Sequence, residues 1–178
     1  MCKMASFLYK NSEANGVEIA VYKLDSHSDT QRALKLTEKM GWFEGHYTPS
    51  GEIECRKPNG IDNDAMAEIK RRYKNFNAFL KWALKQNVDF SGWLNLNGCD
   101  LKGVKLPASI GGGLDLSGCD LKGVKLPDSF GGTLYLSGCN LKGVKLPASI
   151  GGWLDLRGCK NVNKDVVNKI KIGDTVYW

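Results

Sequence analysis

The chain has 178 residues, 42% of them hydrophobic, which is enough apolar material for one large domain or two small ones and argues against a disordered chain. Its net charge of +6 is divided evenly, +3 on residues 1–88 and +3 on residues 89–178, with no basic tail, so it permits an acidic or nucleic-acid partner without requiring one. No apolar run approaches the roughly 18–20 residues that cross a bilayer, and the opening MCKMASFLYKNSEANG lacks the apolar centre of a secretory signal, so a cytoplasmic protein is expected.

Residues 1–88 do not repeat and are expected to form an α+β domain. VEIAVYKL (17–24) alternates around β-branched residues and reads as a strand. In SHSDTQ, Ser28 and Gln31 have capping-box spacing, and Ala33, Leu36 and Met40 then recur at helical intervals, so a helix should follow. WFEGHYTPSGEIECRK (42–57) reads as a hairpin turning at Pro49, Ser50 and Gly51. From Asp64 to Gln86, Met66, Ile69, Tyr73, Phe76, Leu80 and Ala83 mark one apolar face of a long helix that closes the domain. On a continuous helix at 100° per residue, Lys70, Lys74, Lys81 and Lys85 fall beside that stripe as a basic ridge.

The second half is built from a 20-residue unit: LNLNGCDLKGVKLPASIGGG (94–113), LDLSGCDLKGVKLPDSFGGT (114–133), LYLSGCNLKGVKLPASIGGW (134–153) and the fragment LDLRGC (154–159). A 20-residue period is too short for a helical-pair repeat and suits one coil of a parallel solenoid. Each LxL segment has the period-two pattern of a short strand. Bends are marked at Gly98, Gly118, Gly138 and Gly158 and at the GG pairs 111–112, 131–132 and 151–152, where positive φ or close backbone approach is needed. The expected fold class is therefore α+β: an N-terminal α/β domain (1–88), a short parallel β-solenoid (89–160), and a C-terminal cap (161–178) made of a short helix around Val166, Val167 and Ile170 and a strand in DTVYW.

The pattern LxLxxCxL followed by LPxSI resembles a short bacterial-type leucine-rich repeat. Tandem LPxSIGGxLxLSGC units also resemble those of bacteriophage and prophage proteins. The resemblance spans residues 94–159 and implies a solenoid used as a binding surface, with no catalytic residues, and a host complex of defence or nucleic-acid processing as the target to be inhibited, in the host cytoplasm. The segments LDLSG and CDLKG match the pentapeptide-repeat pattern as well, four of which make 20 residues; there SIGGG departs, with Gly111 where that family has Leu or Phe.

Stacking the coils about 4.8 Å apart turns each position into a column. Cys99, Cys119, Cys139 and Cys159 form one, expected to pack as small hydrophobes. Lys102, Lys122 and Lys142 form a second, and Lys105, Lys125 and Lys145 a third: two basic ridges suited to phosphate or to an acidic partner. The outward strand positions Asn95, Asp115, Tyr135 and Asp155, with Trp93 and Trp153 just before the first and last of them, are the candidate partner-binding residues.

Catalytic material is sparse. His27 lies in DSHSD, where Asp25, His27 and Asp29 alternate in a spacing that mimics metal ligands, and His46 lies near Glu44, with Cys55 as the candidate nucleophile. No P-loop, dinucleotide-binding, GxSxG, HExxH or paired-cysteine motif is present. The expectation is a non-enzymatic protein-binding module without metal or cofactor; nucleic-acid binding through the lysine ridges and a small enzyme using His27 or His46 are the alternatives.

Overall fold

The structure is a computed structural model that describes residues 5–24, 26–48, 50–86 and 88–178. It divides into two compact units, residues 1–89 and 90–178. Among the described residues no helix is long and apolar enough to cross a membrane.

The first unit is a five-stranded antiparallel sheet. Its strands are β1 (Ser6–Ser12), β2 (Gly16–Ala20), β3 (Phe43–Tyr47), β4 (Ile53–Lys57) and β5 (Gly60–Ile61), in the order β2-β1-β3-β4-β5. The interior strand β1 was not foreseen; its residues Ser6 to Tyr9 are all buried, as in a strand covered on both faces. The strand expected over 17–24 ends at Ala20, although Val21 and Leu24 remain buried beyond it. Helix α1 (His27–Ala33) starts two residues earlier than the capping box suggested: Ser26, not Ser28, caps it, accepting the Asp29 N–H at 3.2 Å. Lys35 at φ 54° turns the chain out of the helix, so Leu36 and Met40 do not belong to it and Met40 is exposed. The 42–57 hairpin is present as β3 and β4 in antiparallel register, with Ser50 and Gly51 in the turn and Pro49 outside the described residues.

The long helix expected over 64–86 is two helices, α2 (Asn63–Arg72) and α3 (Phe76–Ala83). The break has local causes. Asn75 leaves helical geometry to cap α3, accepting the Ala78 N–H at 2.9 Å, and the Tyr47 hydroxyl donates to the Tyr73 carbonyl at 3.1 Å, holding the end of α2 to the sheet. Ile69, Phe76, Phe79, Leu80 and Ala83 are buried, and Phe7, Tyr47, Tyr73, Phe76, Phe79 and Trp82 form a continuous aromatic core.

The second unit is a parallel β-solenoid of about four turns. One ladder joins β6 (Leu94–Asn95), β7 (Leu114–Asp115), β9 (Leu134–Tyr135) and β11 (Leu154–Asp155); the other runs through β8 (Ser129–Phe130) and β10 (Ser149–Ile150). After the short helix α4 (Lys164–Val167), capped by Asn163, β12 (Lys171–Ile172) and β13 (Val176–Tyr177) continue both ladders, so part of the expected cap is itself a further rung.

Within a coil the inward side chains are Leu114, Leu116, Cys119, Leu121, Val124, Leu126 and Phe130, all buried. Two corners are tight turns: Cys119 N–H donates to Leu116 O and Val124 N–H to Leu121 O, both at 3.0 Å, with Gly118 at φ 69° and Gly123 at φ 74° in the third position, as a type II turn requires. The GG pairs answer the other need. They lack positive φ, but a Cβ on Gly131 would overlap the Gly111 carbonyl of the preceding coil, and one on Gly151 the Gly131 carbonyl.

Candidate functional site

The strand ladder β6-β7-β9-β11-β13 carries the expected column, and its register extends it: Asn95, Asp115, Tyr135 and Asp155 are followed by Tyr177. Period-20 reading missed Tyr177 because α4 lengthens the last coil, so Val176 stands against Leu154 at an offset of 22 rather than 20. Asn95, Asp115 and Asp155 do something local first. Each accepts, through Oδ1, the N–H two residues ahead, from Asn97 at 3.1 Å, Ser117 at 2.9 Å and Arg157 at 3.0 Å, which fixes the exit from the strand.

The aromatic residues form two similar pairs along the face. The Trp93 indole lies over Gly113, where any Cβ would overlap it, and so reaches the Tyr135 ring two coils on, edge to face at 5.3 Å between centroids. Trp153 meets Tyr177 in the same way at 6.0 Å, its backbone N–H donating to Thr133 Oγ1 and its indole N–H to the Asp174 carboxylate. Trp93, Trp153 and Tyr177 remain 40–41% exposed, an unusual outlay of large aromatic surface on so small a sheet. Trp178 is exposed too, with the Lys164 ammonium 5.2 Å from its ring centre.

Asp155 departs from an outward contact residue. It is 2% exposed and held by Arg157 through Nε at 3.0 Å and Nη2 at 2.7 Å, while the same guanidinium sits 5.6 Å from the Tyr177 ring centre. Hydrogen bonding to Arg157 holds the Asp155 carboxyl below its ordinary value, against the opposing effect of burial. Because its native pKa is depressed, Asp155 stabilises the fold above the usual carboxylate range and ceases to do so as pH falls through the native value. Replacing Arg157→Gln is expected to raise the Asp155 titration midpoint and shift the acid loss of stability to higher pH, read from the side-chain carboxyl carbon by NMR. An unchanged midpoint would mean that the pair is not formed in solution.

The lysine columns occupy the next runs of each coil. Lys102, Lys122, Lys142, Lys105, Lys125 and Lys145 are all exposed. Asp100, Asp120 and Asn140 accept the N–H groups of Lys102, Lys122 and Lys142 and so fix the turns that present the ridge. Lys145 is spent on Asp128 at 3.2 Å. In the first unit, the break at Tyr73–Asn75 removes the helical geometry that placed four lysines together: Lys70 lies on α2, Lys74 in the break, Lys81 on α3 and Lys85 beyond it.

The repeat cysteines face inward. Cys119, Cys139 and Cys159 donate their thiols to the carbonyls of Leu96, Leu116 and Leu136 in the preceding coil at 3.0–3.2 Å. Burial pushes the Cys99 and Cys119 thiols up to about 12 and raises those of Cys139 and Cys159. Thiolate chemistry at neutral pH is thereby suppressed.

The catalytic candidates are not assembled. Gly45 stands opposite Cys55 and His46 opposite Glu54, so strand alternation directs Cys55 and His46 to opposite faces of the sheet. Cys55 is buried, and burial pushes its thiol up to about 12. His27 Nε2 lies 3.1 Å from Glu44, and Asp29 pairs with Lys23 and Arg32, while Asp25 lies outside the described residues. A concavity of about 430 Å3 beside Trp42 includes Glu44 and Arg56, which are engaged by His27 and Glu54. Among the described residues no cluster of His, Cys, Asp and Glu is arranged to hold a metal ion.

No family model, curated protein or solved structure matches the chain.

Proposed function

We propose that the repeat unit is a protein-binding module whose contact surface is the aromatic ladder Trp93, Tyr135, Trp153 and Tyr177. The supporting observation is the exposure of Trp93, Trp153 and Tyr177, with Tyr135 half-buried between them, on a parallel sheet whose backbone is fixed rung by rung: aromatic side chains with few rotatable bonds, on a rigid frame, lose little entropy on binding. Five rungs give a strip roughly 20 Å long, the scale of a modest interface. The coil that carries it is read as four short sides in the pentapeptide manner rather than as a leucine-rich coil, since inward residues recur every five positions at Leu114, Cys119 and Val124 and again at Leu116, Leu121 and Leu126.

The test compares wild type with a variant carrying Trp93→Ser, Tyr135→Ser, Trp153→Ser and Tyr177→Ser, each tagged and used to capture proteins from bacterial lysate with and without nuclease. Wild type is expected to retain a defined protein under both conditions and the variant to lose it, with affinity falling by a factor of about 30 or more. Unchanged hydrogen exchange at the β7 and β9 amides would show that the variant is folded. Retention by the folded variant, or recovery that vanishes with nuclease, would defeat the proposal.

A further inference from the structure

The three coils are nearly identical in sequence, yet the two junctions between them are not closed in the same way along the VKLP run. Between the second and third coils, Ala148 N–H donates to Asp128 O at 2.9 Å and the Lys145 ammonium reaches the Asp128 carboxylate at 3.2 Å. Between the first and second coils the residue equivalent to Asp128 is Ala108. There, none of the described backbone hydrogen bonds joins residues 103–108 to residues 123–128, and the Ser129–Phe130 ladder shrinks to a single bridge, Ile110 with Phe130.

The open junction is a groove of about 580 Å3. Leu106 and Pro107 are the half-buried apolar residues of its lining, over the buried Val104, Leu126 and Pro127; Asp128 lines it as well, its carboxylate engaged by Lys145, and Lys105 and Lys125 stand on it, exposed and without an acidic partner among the described residues. Lys125 occupies the place that Lys145 holds one coil later, but the carboxylate is missing.

We propose that this groove docks an extended, acidic segment of a partner protein, with one carboxylate on Lys125 in the position that Asp128 takes for Lys145. The occupant follows from the protein's own solution at the next junction: a carboxylate closes the lysine, and a backbone carbonyl accepts the adjacent N–H. A segment alternating acidic and apolar residues meets both demands, its charge satisfied by the lysines and its apolar side chains by the walls. The groove lies on a different run of the coil from the aromatic ladder and does not depend on it.

The probe is the blocked peptide Asp-Leu-Asp-Leu-Asp, with Asn-Leu-Asn-Leu-Asn as the neutral control and a ten-residue oligothymidylate as the nucleic-acid control, titrated into the full chain and followed by amide NMR shifts. The acidic peptide is expected to shift residues 103–108 and 123–128, and the neutral one to bind about tenfold more weakly. Ala108→Asp supplies an internal carboxylate to Lys125 and is expected to abolish those shifts. Asp128→Ala keeps the main-chain bond to Ala148 but removes the carboxylate from Lys145, and is expected to add a peptide-induced shift at Lys145. The variant Trp93→Ser should bind the peptide as wild type does, so failure of the groove and failure of the aromatic ladder are distinguishable. Full binding by Ala108→Asp, shifts located elsewhere, or the groove responding to oligothymidylate and not to the peptide would each overturn the proposal.

Discussion

Gly131→Ala is expected to cost about 3 kcal/mol of folding stability, the upper part of the usual range for overpacking, although it adds a single methyl group. The methyl would overlap the carbonyl of Gly111, and that atom is backbone in a ladder, so it cannot swing aside as a flexible side chain would. Relief requires moving one coil away from the next. That lengthens the hydrogen bond from Gly131 N–H to Ile110 O, now 3.0 Å, and disturbs the packing of Phe130 beneath it. Gly118→Ala is the contrasting change. Its φ of 69° strains an L-residue, but no atom lies within 4 Å of the added Cβ, so its expected cost is about 1–2 kcal/mol. Urea denaturation of both variants checks the order. If Gly118→Ala proves as costly as Gly131→Ala, close coil approach is not what these glycines provide, and Gly131, Gly151 and Gly173 need another cause.

The two kinds of glycine show how far the repeat was readable. A 20-residue period with LxL in every copy is enough for stacked parallel strands, because inward Leu at every second position has few other solutions. It does not distinguish a glycine needed for φ from one needed for space, since both are conserved from copy to copy within the chain. It also hides the corner at Gly103, Gly123 and Gly143, which has positive φ but sits in a KGV context that reads as polar surface. The last rung was obscured for a different reason: α4 shifts the period, so Tyr177 joins the aromatic column only once strand register is known. Trp93, Tyr135 and Trp153 needed no such help. Asp155 was placed in its column, but its burial depends on Arg157, which stands where earlier copies have Asn97, Ser117 and Ser137. In the first unit the spacing from Met66 to Ala83 runs through the break without interruption, because both helices face the same core; the local sign of the break was Asn75, a good cap placed one residue before Phe76.

Phe79 is where the largest side-chain effect is expected. It is fully buried, and its ring centre lies 5.1 Å from Phe7, 4.8 Å from Tyr47, 5.4 Å from Tyr73 and 5.7 Å from Trp82. Phe79→Ala removes the centre of that cluster and leaves a space that the sheet cannot close, because Phe7 is seated against Gly45 and Tyr47 is tethered by its hydroxyl to Tyr73 O. The expected loss is about 3–5 kcal/mol, a large share of the roughly 5–15 kcal/mol by which a domain is normally stable. Phe79→Leu keeps most of the volume and should lose much less, on the order of 1–2 kcal/mol. Equilibrium unfolding gives the magnitudes, and hydrogen exchange at the β1 and β3 amides shows whether the loss falls where the ring was. A cost below about 1 kcal/mol for Phe79→Ala would mean that the cluster repacks freely and that the apposition of α3 and the sheet is not specific. The two glycine and phenylalanine experiments thus probe opposite constraints: the solenoid tolerates no added atom between its backbones, whereas the first unit tolerates no missing atoms between its helices and sheet.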